Sequence, residues 1–182
     1  MISPAEVALP VSFFIPGRAR TKGSLKPIIT RGRNGKIIVN LQESGEHSIA
    51  WKDTMIGVIR RQCGFERPLR VERRQGRAPR YVFKHRPYAG PVCVETGVVF
   101  EREHVLAGGV EAEELREASA SPFPTSIVWG DGDKLERNVW DALTQSGLIE
   151  DDRWVVMWRG VKRFGPVGGI YVTVSAVSED DA

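Results

Sequence analysis

Residues 131–143 read Asp-Gly-Asp-Lys-Leu-Glu-Arg-Asn-Val-Trp-Asp-Ala-Leu, and residues 148–152 read Leu-Ile-Glu-Asp-Asp. The pattern predicts a helix that begins at Asp133, a good N-cap, with Glu136 completing a capping box three residues later. The apolar face of this helix is formed by Leu135, Val139, Ala142 and Leu143. Gly147 is expected to end the helix.

Two aspartates of this segment, Asp131 and Asp133, are separated by one residue, so their side chains point the same way where the backbone is extended. A helix of about twelve residues is roughly 18 Å long. The five steps from Gly147 to Asp152 cover about 17 Å if extended. If the chain doubles back there, Asp152 lies beside the first two aspartates. Arg137, one turn after Asp133, is on the same helix face. The segment therefore predicts three converging carboxylates beside one cation.

Such a site suits Mg²⁺, with Mn²⁺ as an alternative, because these ions take oxygen ligands and keep waters that a substrate can replace. It would serve phosphoryl chemistry. The alternative interpretation is structural, with the acids forming an N-cap, a solvated turn and a charged helix face. Weaker candidates for the same site are Glu150, Asp151 and Lys134. Asp141 is expected to be structural and to pair with Arg137 four residues earlier.

The chain of 182 residues is long enough for one compact domain and too short for two large ones. Its net charge of +3 is unevenly distributed. Residues 1–90 hold 18 Lys and Arg against 6 Asp and Glu, a net +12, whereas residues 91–182 hold 8 against 17, a net −9. A basic half beside an acidic, metal-binding half suits a polyanionic substrate. A solvated surface with a disordered arm would have the same composition.

Cys63 and Cys93 are far apart, so no disulfide framework is expected and both are interpreted as free core thiols. The sequence has no run of about eighteen apolar residues, so no membrane span is expected. Its N-terminus lacks the basic-then-apolar order of a signal peptide. These features predict a cytoplasmic protein. His47, His85 and His104 lack the paired spacing of a zinc site and are assigned no chemistry.

The apolar pattern predicts an α/β fold: a small mixed β-sheet with two main helices packed on it, in a single domain over residues 1–182. The other expected elements are a strand at 11–15, a hairpin over 18–40, a helix from about 44, a central strand at 91–102, and a last hairpin pairing 154–162 with 169–177. The apolar face of the helix is expected to carry Ile49, Met55, Ile56 and Ile59, with Trp51 at its margin. A basic arm at 65–90, an acidic insertion at 103–124 with a short helix at 111–120, and a flexible tail at 178–182 complete the chain.

Basic residues of the N-terminal half form two candidate nucleic-acid surfaces. The cations of the hairpin are Arg18, Arg20, Lys22, Lys26, Arg31 and Arg33. In the basic arm, eight Lys and Arg are mixed with Tyr81, Phe83 and Tyr88, which suits phosphate contacts and base stacking. A mobile arm without a ligand explains that composition equally well. Core or dimer packing, with base stacking as the alternative, is expected for Trp129, Trp140, Trp154 and Trp158.

The segment from Asp131 to Asp152 resembles the signature of the RusA-type Holliday junction resolvases. That signature runs Asp-x-Asp-Asn-x-x-Lys-x-x-x-Asp-Ala-Leu and closes on Asp-Asp after a spacer, and the register here holds without a gap. Residues 16–23, Pro-Gly-Arg-Ala-Arg-Thr-Lys-Gly, are similar to the family's Pro-Gly-x-Pro-x-x-Lys-Gly stretch. Two residues depart from the signature: Lys134 replaces its asparagine and Arg137 its lysine. Arg137 keeps the charge but makes proton transfer unlikely, because a guanidinium stays protonated in proteins.

The resemblance implies a RusA-like fold in which Asp131, Asp133 and Asp152 are the metal-binding, catalytic carboxylates, and Arg137 takes the place of the essential basic residue. It implies a Mg²⁺-dependent endonuclease that cuts four-way junctions in a bacterial or phage-infected cell. Because resolution needs two opposed cuts, a two-fold homodimer is expected. The alternatives are a metal-dependent nuclease for flaps, single strands, RNA or other branched DNA, a non-catalytic junction-binding protein, and a structural or partner-binding protein.

Overall fold

The architecture comes from a computed structural model that describes residues 7–21, 25–31, 37–43, 46–72, 79–101, 121–125, 129–178 and 180. For residues 25–31, 37–43 and 46 it describes the backbone alone. The elements, in chain order, are β1 (Val11–Pro16), β2 (Leu25–Arg31), β3 (Ile37–Glu43), α1 (Glu46–Cys63), β4 (Arg70–Glu72), β5 (Arg80–Val82), β6 (Val92–Glu101), α2 (Gly132–Ser146), a 3-10 turn (Asp152–Trp154), β7 (Val155–Gly165) and β8 (Gly169–Ala176).

Four strands form the central sheet in the order β1-β8-β6-β7. The inner strand β6 pairs antiparallel with β8 on one side and parallel with β7 on the other, while β1 pairs antiparallel with β8. The helices α1 and α2 contact each other, and they also contact β1 and β7, respectively. The predicted α/β fold, a small mixed sheet with two main helices packed on it, is therefore confirmed.

Alternate side chains of the inner strands fill the core between the sheet and the helices. The buried strand residues include Val92, Val94, Val98, Ile170, Val172 and Val174. The helices contribute Met55, Ile59, Val139 and Leu143. Burying one large apolar side chain favours folding by about 1.5–3 kcal/mol relative to leaving it exposed. This layer fixes the position of α2 on the sheet.

β7 and β8 do not pair with each other, so the predicted last hairpin is wrong. Both strands pair with β6, which lies between them. The valine-rich β6 is buried best in the middle of the sheet, and the residues between Gly165 and Gly169 cross its end instead of forming a two-strand turn. As a result, β6, α2 and β7 form a unit in which two parallel strands are joined through a helix.

The predicted N-terminal hairpin and first helix are present, with one change in the helix. β2 pairs antiparallel with β3. In α1, Trp51 is only 6% exposed, whereas Ile49 is 38% exposed, so the buried face is rotated relative to the prediction. Gly17 makes room for the indole ring, because a Cβ at that position would lie 2.9 Å from Cζ3 of Trp51.

Two predicted segments lie partly outside the described residues. The acidic helix expected at 111–120 is among the undescribed residues. In the basic arm, residues 73–78 are not described, β4 pairs with β5, and Tyr88 forms a β-bridge with Ile149. Neither described helix is long and apolar enough to cross a lipid bilayer.

Candidate active site

The candidate site lies at the amino end of α2. The helix begins at Gly132, and its N-cap is Asp131 instead of the predicted Asp133. Asp131 has the extended backbone that the sequence predicts (φ −73°, ψ 137°), and its carbonyl accepts the N–H of Leu135 at 3.1 Å. The Asp131 side chain makes no capping hydrogen bond to the helix. The side chains of both aspartates are more than half exposed, so their carboxylates are open to solvent.

Glu136 is not part of a capping box but is buried between α2 and the sheet. Its Oε1 accepts a hydrogen bond from the Thr96 hydroxyl of β6. Its Oε2 is buried without a hydrogen-bond partner among the described residues. Gly160 of β7 leaves space for the carboxyl group, because a Cβ there would overlap Oε1. Burial raises the pKa of Glu136, and the Thr96 hydrogen bond opposes that rise.

Replacing Glu136 by glutamine should stabilise the fold at neutral pH. Because the folded pKa is raised, the stability that Glu136 contributes is fully present below its unfolded pKa of about 4.5 and is lost as the pH rises through the folded pKa. Glutamine stays neutral and keeps an acceptor for Thr96. Thermal melting should show the smallest difference near pH 4 and a variant that melts a few degrees higher at pH 7. A difference that does not widen with pH would contradict this prediction.

Two ion pairs join the acids and bases of the first turns. Lys134 Nζ lies 2.7 Å from Asp131 Oδ2. The hydrogen bond and charge of Lys134 lower the pKa of Asp131, and Asp131 raises the pKa of Lys134 in return. Arg137 Nη2 lies 3.6 Å from Asp133 Oδ2. Arg137 therefore pairs with Asp133, four residues before it, instead of with the predicted Asp141, four residues after it.

The chain between Gly147 and Asp152 does not extend back along α2 as predicted. Gly147 ends the helix in the left-handed conformation, with φ 89°. The N–H of Leu148 donates to the Leu143 carbonyl in the last turn of the helix. The backbone of Tyr88 donates to the Leu148 carbonyl and accepts from the Glu150 N–H. Leu148 and Ile149 are fully buried. These contacts hold the segment at the carboxyl end of the helix.

Asp152 accordingly lies far from Asp131 and Asp133. It starts the 3-10 turn and lines a groove of about 430 Å³ together with Asp141. Asp141 is eight residues beyond Asp133, which is about 12 Å along a helix. In the part of the chain that the structure describes, no group of three His, Cys, Asp or Glu side chains is placed to hold one metal ion. Asp152 therefore does not join Asp131 and Asp133 within one chain as expected, and a role for Asp152 stays a prediction.

The weaker acidic candidates line the same groove as Asp152. Asp151 caps the 3-10 turn by accepting the N–H of Arg153 at 3.0 Å. Glu150 Oε2 lies 3.9 Å from Arg153 Nη2. These contacts give both residues a local structural role at the carboxyl end of α2.

β7 is the segment that does return along α2. The Trp158 ring lies 5.5 Å from that of Trp140 in an edge-on arrangement, and Gly160 faces Glu136. Further along, Lys162 Nζ donates to the carbonyl oxygen of Gly130 at 2.9 Å. The sequence prediction missed this lysine. The signal for it is the alternation of β7, which places positions 158, 160, 162 and 164 on the face toward the helix.

The hairpin cations can be placed only in part. Arg18 lies over the buried Trp129 ring, 5.7 Å from its centroid. The carbonyl of Arg20 accepts the Asn138 side-chain N–H at 3.0 Å, which links this segment to α2. Lys22 and Arg33 lie outside the described residues, and only the backbone is described for Lys26 and Arg31. Nucleic-acid binding by these residues stays a prediction.

The aromatic side chains of the basic arm pack on the protein itself. His85 stacks on Phe65, with ring centroids 4.1 Å apart, and lies 5.2 Å from Phe83. A His85 ring nitrogen also lies 2.9 Å from the carbonyl oxygen of Gly147. This packing supports the carboxyl end of α2. Among the four tryptophans near the acidic segment, Trp129 is in the core, whereas Trp158 is 59% exposed.

Asp131 and Asp133 form a donor set that suits a divalent metal. Both are exposed carboxylates at the start of α2, and among the described residues Asp131 is ion-paired with exposed Lys134 and Asp133 with exposed Arg137. Mg²⁺ is often held by one or two carboxylates, while waters and phosphate oxygens complete its octahedron. The two aspartates therefore fit an open Mg²⁺ or Mn²⁺ site.

The sequence matches the family model of the endodeoxyribonuclease RusA over residues 72–175. The match covers more than half of the chain and includes β6, α2 and β7, the elements that carry the candidate site. A search of curated proteins finds no significant match. The family match confirms the resemblance based on the segment from Asp131 to Asp152. The chain belongs to the RusA endodeoxyribonuclease family.

Proposed function

We propose that this protein is a Mg²⁺-dependent endonuclease that resolves four-way DNA junctions by paired nicks. The observation that carries the proposal is the start of α2, where exposed Asp131 and Asp133 lie beside Lys134 and Arg137 in a chain of the RusA family. Phosphodiester hydrolysis uses carboxylates to bind a metal and cations to bind phosphate. The proposed place of action is the cytoplasm of a bacterium or of a phage-infected host.

Asp131 and Asp133 would hold the metal through their carboxylate oxygens. When bound, Mg²⁺ lowers the pKa of a water molecule and offsets negative charge on the phosphate. The ion pair between Lys134 and Asp131 must open to free Oδ2 for this role. Both partners are about half exposed, so solvent screens the pair and opening is easy. Lys134 then stays close to the site as a cation for a phosphate oxygen.

Arg137 is proposed to bind the scissile phosphate. Its side chain is 63% exposed, and its 3.6 Å distance to Asp133 is too long for a strong hydrogen bond. A phosphate offers two oxygens to the planar guanidinium and therefore competes well for it. Because the guanidinium keeps its proton, Arg137 stabilises negative charge and takes no part in proton transfer.

Arg137→Ala is expected to lower the single-turnover cleavage rate by about a hundred- to a thousandfold, as loss of a donor to transition-state charge does elsewhere. Junction affinity, measured by gel shift in Ca²⁺, should fall by less than about threefold, because one exposed cation contributes little to binding a long polyanion. Arg61→Ala, which removes an exposed arginine from the last turn of α1, is the matched control and should change neither quantity. Equal losses of rate and affinity would mean that Arg137 only holds the substrate.

A two-fold homodimer is part of the proposal, because a junction is resolved by two opposed cuts. β7 supports it: among the described strands it pairs with β6 alone, the Pro122 carbonyl accepts the N–H of Phe164 near its end, and the strand exposes the apolar side chains Val156, Met157, Trp158 and Val161. Apolar groups on an open strand edge are usually covered by a partner. A dimer also gives Asp152 a route to the site, since within one chain it lies at the other end of α2.

The test of the proposed function is a cleavage assay on a mobile four-way junction with and without Mg²⁺. Matched duplex, flap and single-stranded substrates of the same sequence serve as controls. We expect paired nicks in the junction only when Mg²⁺ is present. Equal cutting of flaps or single strands would favour a broader nuclease, and junction binding without cutting would favour a non-catalytic binding protein.

A further inference from the structure

Lys162 connects β7 to the peptide that precedes the two aspartates. Its side chain is partly buried, and Nζ donates to the carbonyl oxygen of Gly130 at 2.9 Å. Lys162 is opposite Val98 in the parallel pairing of β6 with β7. It therefore approaches Asp131 from the sheet, whereas Lys134 approaches it from the helix. Neither the signature of the family nor the spacing of the aspartates points to this residue.

The position of Lys162 on its strand is unusual for a lysine. The next residue on the same face of β7, Phe164, is 7% exposed and packs edge-on against the Trp129 ring at 5.1 Å. The residue before it on that face, Gly160, faces the buried carboxyl group of Glu136. A partly buried ammonium costs free energy unless it is hydrogen-bonded. The Gly130 carbonyl supplies that partner.

The peptide that Lys162 holds has little freedom to move elsewhere. Gly130 has a left-handed backbone, with φ 78°, and a Cβ there would overlap the Thr21 side chain. Thr21 therefore limits this peptide on one side, and Lys162 binds its carbonyl. The next residue is Asp131, whose backbone starts α2. The direction of the Asp131 carboxylate thus depends on where the Gly130 peptide is held.

We propose that Lys162 is a positioning residue of the nuclease site, which holds the Gly130 carbonyl and so directs the Asp131 carboxylate toward the metal. The inference rests on the proposed function, because it assigns the metal to Asp131 and Asp133. Lys134 is the main group that lowers the pKa of Asp131, and the positive charge of Lys162 lowers it further.

Positioning and simple charge make opposite predictions for metal affinity. If Lys162 acts only as a nearby positive charge, its removal makes the site more negative and tightens cation binding. If it positions Asp131, its removal weakens cation binding, because a ligand held less well contributes less. The sign of the change in affinity therefore separates the two roles.

The experiment measures Mn²⁺ binding to the DNA-free protein by the loss of the free Mn²⁺ signal in electron paramagnetic resonance. Lys162→Met should raise the dissociation constant about tenfold, the usual range for groups that orient a metal ligand. Lys162→Arg, which keeps the charge and the donors, should change it less than about threefold. Arg163→Met removes a cation from the adjacent, exposed position of β7 and should leave Mn²⁺ binding unchanged.

The Mg²⁺ concentration that gives half-maximal junction cleavage should rise most for Lys162→Met, little for Lys162→Arg and not at all for Arg163→Met. If Lys162→Met does not fold by circular dichroism, Lys162→Gln replaces it. The glutamine side chain is one bond too short to reach the carbonyl and should weaken Mn²⁺ binding by a similar factor. Unchanged or tighter Mn²⁺ binding in the folded variant overturns the positioning role. If the wild type neither binds Mn²⁺ nor cuts the junction, the proposed function fails as well, and the two failures are thus distinguishable.

Discussion

Asp133→Asn is expected to lower Mg²⁺-dependent junction cleavage by about a hundred- to a thousandfold, while junction binding stays unchanged or becomes tighter. A neutral amide is a poor Mg²⁺ ligand, and a catalytic metal contributes several kcal/mol at about 1.4 kcal/mol per tenfold in rate. Binding does not suffer, because the substitution removes a negative charge that repels the phosphates. Asp131→Asn should behave in the same way.

The measurement combines single-turnover cleavage with a gel shift in Ca²⁺. Asp53→Asn is the matched control, since it removes one exposed carboxylate from α1 and should leave both quantities unchanged. The fold should tolerate Asp133→Asn, because the exposed pair with Arg137 is screened by solvent and contributes little to stability. Normal cleavage by the variant would remove Asp133 from the proposed site.

Asp152→Asn is also expected to abolish cleavage. A mixed dimer, in which one protomer carries Asp152→Asn and the other carries Asp133→Asn, is expected to recover nicking. Within a chain, Asp152 lies near Asp141 at the far end of α2. If Asp152 acts from the partner protomer of the proposed dimer, each site takes Asp133 from one chain and Asp152 from the other. A mixed dimer then has one site with both aspartates intact and one site that lacks both. Its product should be a nicked junction that is not fully resolved.

Two chains with different affinity tags, expressed together and purified on both tags, give mixed dimers in which about half of the sites are intact. The control dimer combines Asp133→Asn with Asp131→Asn. It should stay inactive, because these two residues lie on the same turn of one helix. An inactive mixed dimer would place the role of Asp152 within its own chain, whereas full activity of Asp152→Asn alone would remove it from the site.

Local periodicity was enough to predict the elements of the site. The apolar positions of α2, with Leu135, Val139 and Leu143 buried as expected, depend only on the helical repeat. The valines of β6 predicted a central strand for a similar reason. Their order in the sheet was not predictable in this way, because alternation marks the faces of a strand and does not identify its neighbours. The hairpin expected between β7 and β8 was wrong for this reason.

The path of the chain after α2 explains the remaining error. An extended segment after Gly147 is long enough for Asp152 to reach Asp131, but the contacts of Tyr88 and the burial of Leu148 hold that segment at the helix end. These are contacts with residues about 60 positions earlier in the sequence, which spacing alone does not reveal. The return along the helix is made by β7, so the residue that arrives beside Asp131 is Lys162.

The site lies at the carboxyl ends of the parallel strands β6 and β7, where Trp129 packs on Phe100 and Phe164. β6 ends at this edge with Glu101, and the connection to α2 is back beside it at Pro122, whose carbonyl accepts the Phe164 N–H at 3.0 Å. Connections of this kind tolerate changes of length and sequence better than the scaffold that holds them. A change of length or sequence in this connection should therefore alter the preference for DNA shape, while the proposed metal ligands and the proposed hydrolytic step stay in place.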